Sequence, residues 1–595
     1  MKKYLVRFLA IIGGITVLTF MSLIVTGIFV WMGKEEIPDK IILELDFEKG
    51  IFEYLPDEPT ARMMFEEHLK LVDIIEGLKT ASEDKRVAGL VARIGRGRMG
   101  FAQIQEMRNA IISFRSKGKT AIAYADTFGE FGPGNGSYYL ATAFDRIYLQ
   151  PSGDIGLTGL IMETVFLKGT LDKLAVTPRM DHRHEYKNAM NIFTEEKYTA
   201  PHKEALEQIM ESLFEQIAKD IALARNIPEE SIRSLIDKGP FIGEEAIDAD
   251  LVDELAYRDK VYDDTETKAG EDTSFLSLAG YLKRTDQPPP KGDAIALIYG
   301  VGTVRRGKSR YDPLSGETSM GSKSVTSAFR SAIEDDKVKA VIFRINSPGG
   351  SYVASDSIWR ETVRAKEAGK PVIVSMGDVA GSGGYFVAMA ADKIVAQPGT
   401  ITGSIGVLGG KMVTSGFWEK LGISWDEIHT SKNSDMWTST NDYTPEQWNR
   451  LQDFLDRIYE DFTTKVAEGR GMPKDKVMEI AKGRIWTGQD AKELGLVDEL
   501  GGFPDAIRLA RQAAGISDDS EIYLKMFPKK KSLSEILLEK ISETSDARAP
   551  FKATVQVLKE LQPIVRSAKK LGIAYEQHGF LSMPYSEAFS SHAEF

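Results

Sequence analysis

At 595 residues, with 42% hydrophobic and 27% charged residues and no cysteine, the chain can form several globular units, but it cannot use a thiol nucleophile, a thiolate zinc site or a disulfide framework. Its net charge of −12, with no basic patch interleaved with aromatics, argues against nucleic acid as a partner. No cluster of histidines and carboxylates has ligand spacing, so no metal and no other cofactor is expected.

The first element is an uncharged run from Phe8 to Met32. A helix of about 20 apolar residues spans a bilayer core. The run is longer than the apolar region of a cleavable signal peptide and ends Ile28-Phe29-Val30-Trp31-Met32, without a small-x-small cut site. One uncleaved transmembrane helix is expected within residues 1–33. Lys2, Lys3 and Arg7 precede it, whereas Lys34 is followed by Glu35 and Glu36. Positive charge stays inside, so a cytoplasmic N-terminus in the inner (plasma) membrane and an extracytoplasmic body are expected.

The rest of the chain repeats itself. Ser82–Ile94 resembles Ile333–Ile345, Ala143–Pro151 resembles Ala390–Pro398, and Leu251–Leu255 resembles Leu496–Leu500. Three blocks in the same order mean two homologous halves. Pro288-Pro289-Pro290 can continue neither a helix nor a central strand and reads as a stiff linker. The expected units are 40–282, a linker at 283–292, 293–514, and a helical tail at 515–595 with helices at Ser532–Ile541 and Val555–Leu571. Within the second unit, Lys339–Ile345 reads as a buried strand, Ser355–Gly369 as a helix and Pro371–Ser375 as the next strand. This alternation implies an α/β fold with parallel strands and helical crossovers.

Two glycine-rich turns stand out, Asn346-Ser347-Pro348-Gly349-Gly350 and Ala380-Gly381-Ser382-Gly383-Gly384-Tyr385. A serine between glycines at a helix start is exposed beside unpaired N–H groups that can hold an oxyanion. Taken alone, such a Gly-Ser-Gly marks only a capped turn. In the repeat, however, Asn135 stands opposite Ser382 and Met99 opposite Gly350. The first half lacks these turns, so folding alone does not require them. A serine hydroxyl needs a base. His68, His182, His184, His202, His429, His578 and His592 keep a Ser-His-Asp triad open, and Ala380–Gly384 approaches the Gly-x-Ser-x-Gly elbow.

In combination and order, Asn346–Gly350, Ala380–Tyr385 and Thr402-Gly403-Ser404-Ile405-Gly406 resemble the signal peptide peptidase A (protease IV) family in its long, duplicated form. The resemblance implies two tandem ClpP/crotonase-like domains of repeated ββα units. It implies a serine protease that degrades signal peptides left in the membrane, assembled as a homotetramer. It makes Ser382 the nucleophile. It makes Lys187, in Tyr186-Lys187-Asn188-Ala189, the general base once burial keeps its amine neutral. Ser404 would orient the lysine; its counterpart is Leu157. Gly383 and either Gly349 or Gly350 would donate to the oxyanion. Lys432, opposite Lys187 in the repeat, is a formal rival for the base. A crotonase-like acyl-CoA enzyme and a non-catalytic membrane scaffold are the other readings of the scaffold.

Overall fold

The computed structural model describes residues 36–54, 68–95, 97, 99–270, 272–285, 291–312, 316–529 and 581–582, together with residue 21. The apolar run 8–32 (Met21 apart), the prolines 288–290 and the helices expected at 532–541 and 555–571 lie outside these residues. Among the described residues no helix is long and apolar enough to cross a membrane.

Continuous β-branched and aromatic runs become central strands. Val338–Ser347 buries every residue except Lys339 and Asn346, as a strand covered on both faces must. One half builds a six-stranded parallel sheet in the order Glu254–Leu255, Arg146–Leu149, Thr120–Ala125, Val87–Arg93, Ile41–Asp46, Ser274–Ser277. The other half runs Glu499–Leu500, Lys393–Ala396, Val372–Gly381, Val338–Ser347, Asp293–Val301, Ile522–Phe527, also parallel. Ile401–Gly403 and Ile485–Thr487 add to the far end of Val372–Gly381.

The last strand corrects the sequence reading. The sequence reads as a helical tail from 515 onward, yet Ile522–Phe527 pairs with Asp293–Ile298 as an edge strand. Alternation over six residues next to an open sheet edge outweighs helical preference, because the edge offers backbone partners that a lone helix turn lacks. The strand after Pro371 is also longer than expected and runs to Gly381, the residue before Ser382.

Two features join the halves. Thr177–His182 pairs antiparallel with Leu408–Val413 across the middle of the molecule. Beneath, Arg344 is fully buried and binds Glu53 (Nε–Oε1 2.5 Å) and Glu106 (Nη2–Oε2 2.7 Å) from the first half. Gln103 donates its side-chain amide to Glu53 and its backbone N–H to Asp378 Oδ1, at 2.8 and 2.9 Å. Burial pushes the Asp378 carboxyl up to about 8, so it is protonated at neutral pH. The single Arg344 cation thus offsets the negative charge of two carboxylates buried from solvent. Arg344→Met is expected to cost about 3–5 kcal/mol by stranding that charge, read as a lower urea midpoint with the slope unchanged.

Candidate active site

Ser382 stands where the Val372–Gly381 strand turns into the short helix Gly383–Ala388. Its backbone takes φ 53° and ψ −114°, a conformation that L residues adopt only under constraint. The turn is held by Ser382 N–H donating to Gly403 O and by Phe386 N–H donating to Ser382 O, each at 2.8 Å. The glycines that follow are a steric requirement. A Cβ on Gly384 would stand 2.5 Å from Ser347 O, and one on Gly383 would stand 2.8 Å from Ser355 Oγ and 3.0 Å from Gly350 N. The two glycine-rich turns therefore meet backbone to backbone, one against the other.

Lys187 reaches this turn from the other half. It follows the cross-half strand Thr177–His182 and leads into Asn188–Met190. Its Nζ lies 2.7 Å from Ser382 Oγ, and 3.0 Å from both Ser404 Oγ and Ser404 O. Lys187, Ser382 and Ser404 are all 0% exposed. Burial alone pushes the amine well below its ordinary value of 10.5, with no carboxylate to oppose the shift. Two contacts to Ser404 and one to Ser382 fix the direction of the nitrogen. A neutral amine so placed can accept a hydroxyl proton.

The remaining sequence candidates fall into place around this pair or away from it. Gly349 N–H donates to Ser347 Oγ at 3.2 Å, and the Gly350 nitrogen lies beside Gly383. Gly349 and Gly350 pair antiparallel with Ser582 and Leu581, so this edge receives a strand from the chain itself. Lys432 is exposed, and its carbonyl accepts from Gln447 Nε2 at 3.2 Å. Asn135, opposite Ser382 in the repeat, binds its own turn: its Nδ2 donates to Gly159 O at 2.8 Å and its Oδ1 accepts from Thr158 N–H at 3.0 Å. Leu157 is buried. Among the described residues no histidine hydrogen-bonds Ser382. His202 is buried with its pKa pushed down to about 4, among Asn191, Tyr198 and Phe166.

Sequence matches assign the family. The family described as peptidase family S49 matches residues 113–271 and 364–517. The chain is 31% identical over 469 residues to "Serine protease SPPA, chloroplastic" of Arabidopsis thaliana, covering 77% of this chain and 68% of that protein. It is 30% identical over 501 residues to "Protease 4" of Salmonella typhi, covering 82% and 78%.

The chain belongs to peptidase family S49.

Among solved structures, a ClpP1 mutant from Listeria monocytogenes matches at 15% identity and a TM-score of 0.23, over 36% of this chain and 94% of that one. This S49 peptidase is a serine protease, which sets aside the acyl-CoA and scaffold readings. Sequence reasoning missed the turn Lys482-Gly483-Arg484, whose Gly483 packs against Lys187. A signal was present: Lys238-Gly239 precedes the first Leu-Val-Asp-Glu-Leu block as Lys482-Gly483 precedes the second.

Proposed function

We propose that this S49 peptidase cleaves peptides with a Ser382–Lys187 dyad. The observation that carries the reading is a dry, carboxylate-free amine 2.7 Å from a strained serine hydroxyl. The neutral Lys187 amine takes the proton of Ser382 as Oγ attacks the scissile carbonyl. Gly383 and Gly350 N–H groups stabilise the resulting oxyanion; the second turn's closeness to Gly383 supports that pairing. The ammonium then protonates the leaving amine, giving an acyl-enzyme that holds the N-terminal fragment and a free C-terminal fragment. Lys187 next takes a proton from water, whose oxygen attacks the ester, and returns it to Ser382. Ser404 holds the amine so that its lone pair faces Ser382.

The chain is further read as two tandem ClpP/crotonase-like units; the shared strand order of the two sheets supports this. The run 8–32 anchors it in the inner membrane with its body outside the cytoplasm, as a homotetramer. Tethered there, it acts on apolar peptides such as cleaved signal peptides. An extended substrate would lie along Gly349–Gly350 in place of Leu581–Ser582, the antiparallel strand that this edge accepts from the chain itself.

The test is digestion of a synthetic signal peptide and of a polar peptide of equal length by the full chain in liposomes. The apolar peptide is expected to be cut at least about tenfold faster by kcat/KM, or about 1.4 kcal/mol of transition-state binding. Equal rates for the two would reject the substrate class while leaving the dyad intact.

A further inference from the structure

A turn remote in sequence from both Lys187 and Ser382 closes over the lysine. Ala481–Arg484 links the helix Lys474–Ile480 to the strand Ile485–Thr487. Lys482 and Gly483 both have positive φ, 52° and 81°. The turn is tied on each side. Tyr186 N–H, next to Lys187, donates to Lys482 O at 3.2 Å. Gly483 N–H donates to Ile405 O at 2.8 Å, and Ser404 N–H donates to Arg484 O at 2.7 Å. Lys482 N–H donates to Tyr459 Oη at 3.3 Å. The turn therefore bonds through Lys482 to the lysine's loop and through Arg484 to the serine that orients its amine.

There is no spare room between them. A Cβ on Gly483 would stand 2.6 Å from Lys187 Cβ and N and 2.7 Å from its Cα. Those are main-chain atoms and the first side-chain carbon, so the lysine itself would have to move. Gly406 closes the other side: a Cβ there would stand 2.8 Å from Gly483 Cα and 3.3 Å from Lys187 Cδ. Arg484 then caps the outer face, its guanidinium 4.5 Å from the Tyr186 ring centre and 4.7 Å from that of Trp486.

We propose that the Ala481–Arg484 turn is a clamp that positions the base, with Gly483 setting how far the Lys187 amine reaches toward Ser382 and Ser404. It rests on the reading of Lys187 as base. The clamp has two consequences. It fixes the nitrogen within 3.0 Å of three oxygens, and it excludes water from the amine. The charged and titratable groups around the lysine loop leave the amine to burial alone. Glu185 pairs with Lys482, Glu204 with Arg484, and Arg183 with Asp456. Tyr186 Oη donates to Glu204, and the His184 ring packs on Tyr459 at 4.6 Å with its pKa lowered by burial. A loosened clamp lets water reach the amine, so its protonation, and the acidic limb of the rate, moves to higher pH.

The experiment uses the full chain in detergent, the synthetic signal peptide as substrate and kcat/KM measured across pH. Gly483→Ala is expected to lower kcat about 100-fold, as a misplacement near 1 Å does, with KM changed less than about twofold and the acidic limb displaced upward. Gly495→Ala is the control. Gly495 has the same φ of 81°, but its nearest atom, Met472 Sδ, is 3.8 Å away. It carries the backbone strain without the contact and is expected to keep the wild-type limb. Equal losses in the two variants, with neither limb moved, overturn the clamp. If Gly483→Ala does not fold, Tyr459→Phe removes the hydroxyl that receives Lys482 N–H and spares Gly483. A smaller upward displacement supports the clamp, and an unmoved limb overturns it. Full activity in Lys187→Met overturns the base and the clamp together; an inactive Lys187→Met beside an unmoved Gly483→Ala limb overturns the clamp alone.

Discussion

Ser382→Ala is expected to lower peptide hydrolysis by about 10⁴-fold or more while leaving the fold intact. In the proposed mechanism the hydroxyl supplies the atom that forms the acyl bond, so no neighbour can substitute for it. Structurally the change is small. Alanine inherits the same positive φ at this elbow, and the strained turn is held by main-chain bonds to Gly403 and Phe386 that do not involve the side chain. The Lys187 amine keeps both contacts to Ser404, and in the proposed neutral state it leaves no buried charge unpaired. The loss of one buried hydrogen bond should move stability by about 1 kcal/mol. Hydrolysis, fluorophosphonate labelling and a thermal melt together make the check. Labelling that persists in the variant would place the nucleophile elsewhere.

Lys187→Met, close to isosteric, should lower kcat by about 10³-fold, within the range for loss of a general base. Lys432→Ala should leave it unchanged, since that side chain is exposed. A reversed pattern would assign the base to the second half. The lysine also predicts how stability depends on pH. Its folded pKa lies below the ordinary 10.5 because burial penalises the ammonium. Between those two values the unfolded chain binds a proton that the folded chain does not, so stability rises with pH over that window. Below the folded pKa the penalty is complete, and above 10.5 it vanishes. Methionine has no such term. The melting temperature of wild type relative to Lys187→Met should therefore increase from pH 7 to pH 10, and a constant difference would mean that the amine is charged in the fold. Activity follows the same proton: it should fall as acid protonates the amine, with KM little affected.

Much of the α/β architecture could be read from contiguous residues. Strand runs such as Lys339–Ile345, the helix after Ser355 and the repeat blocks depend on periodicities of two and 3.6 that neighbouring residues state themselves. The Gly-Ser-Gly-Gly elbow was equally legible, because a positive φ and backbone-to-backbone contact leave few residue choices. Edge pairing was not. Ile522–Phe527 reads as part of a helical tail because nothing within it says that an unpaired sheet edge awaits it. The buried Arg344 was likewise invisible, since its acceptability depends on Glu53 and Glu106, which lie 291 and 238 residues away.

By itself the sequence determined which chemical groups are present and how each turns locally: a serine on a tight elbow, a lysine in a Tyr-Lys-Asn-Ala segment, a scaffold made twice. Only the tertiary structure decided which lysine stands beside that serine, across 195 residues of chain, and that Gly349 N–H is taken by Ser347 Oγ. The reason is physical. Backbone sterics and side-chain periodicity act over a few residues, whereas the dryness that leaves an amine neutral exists only once distant segments have closed around it.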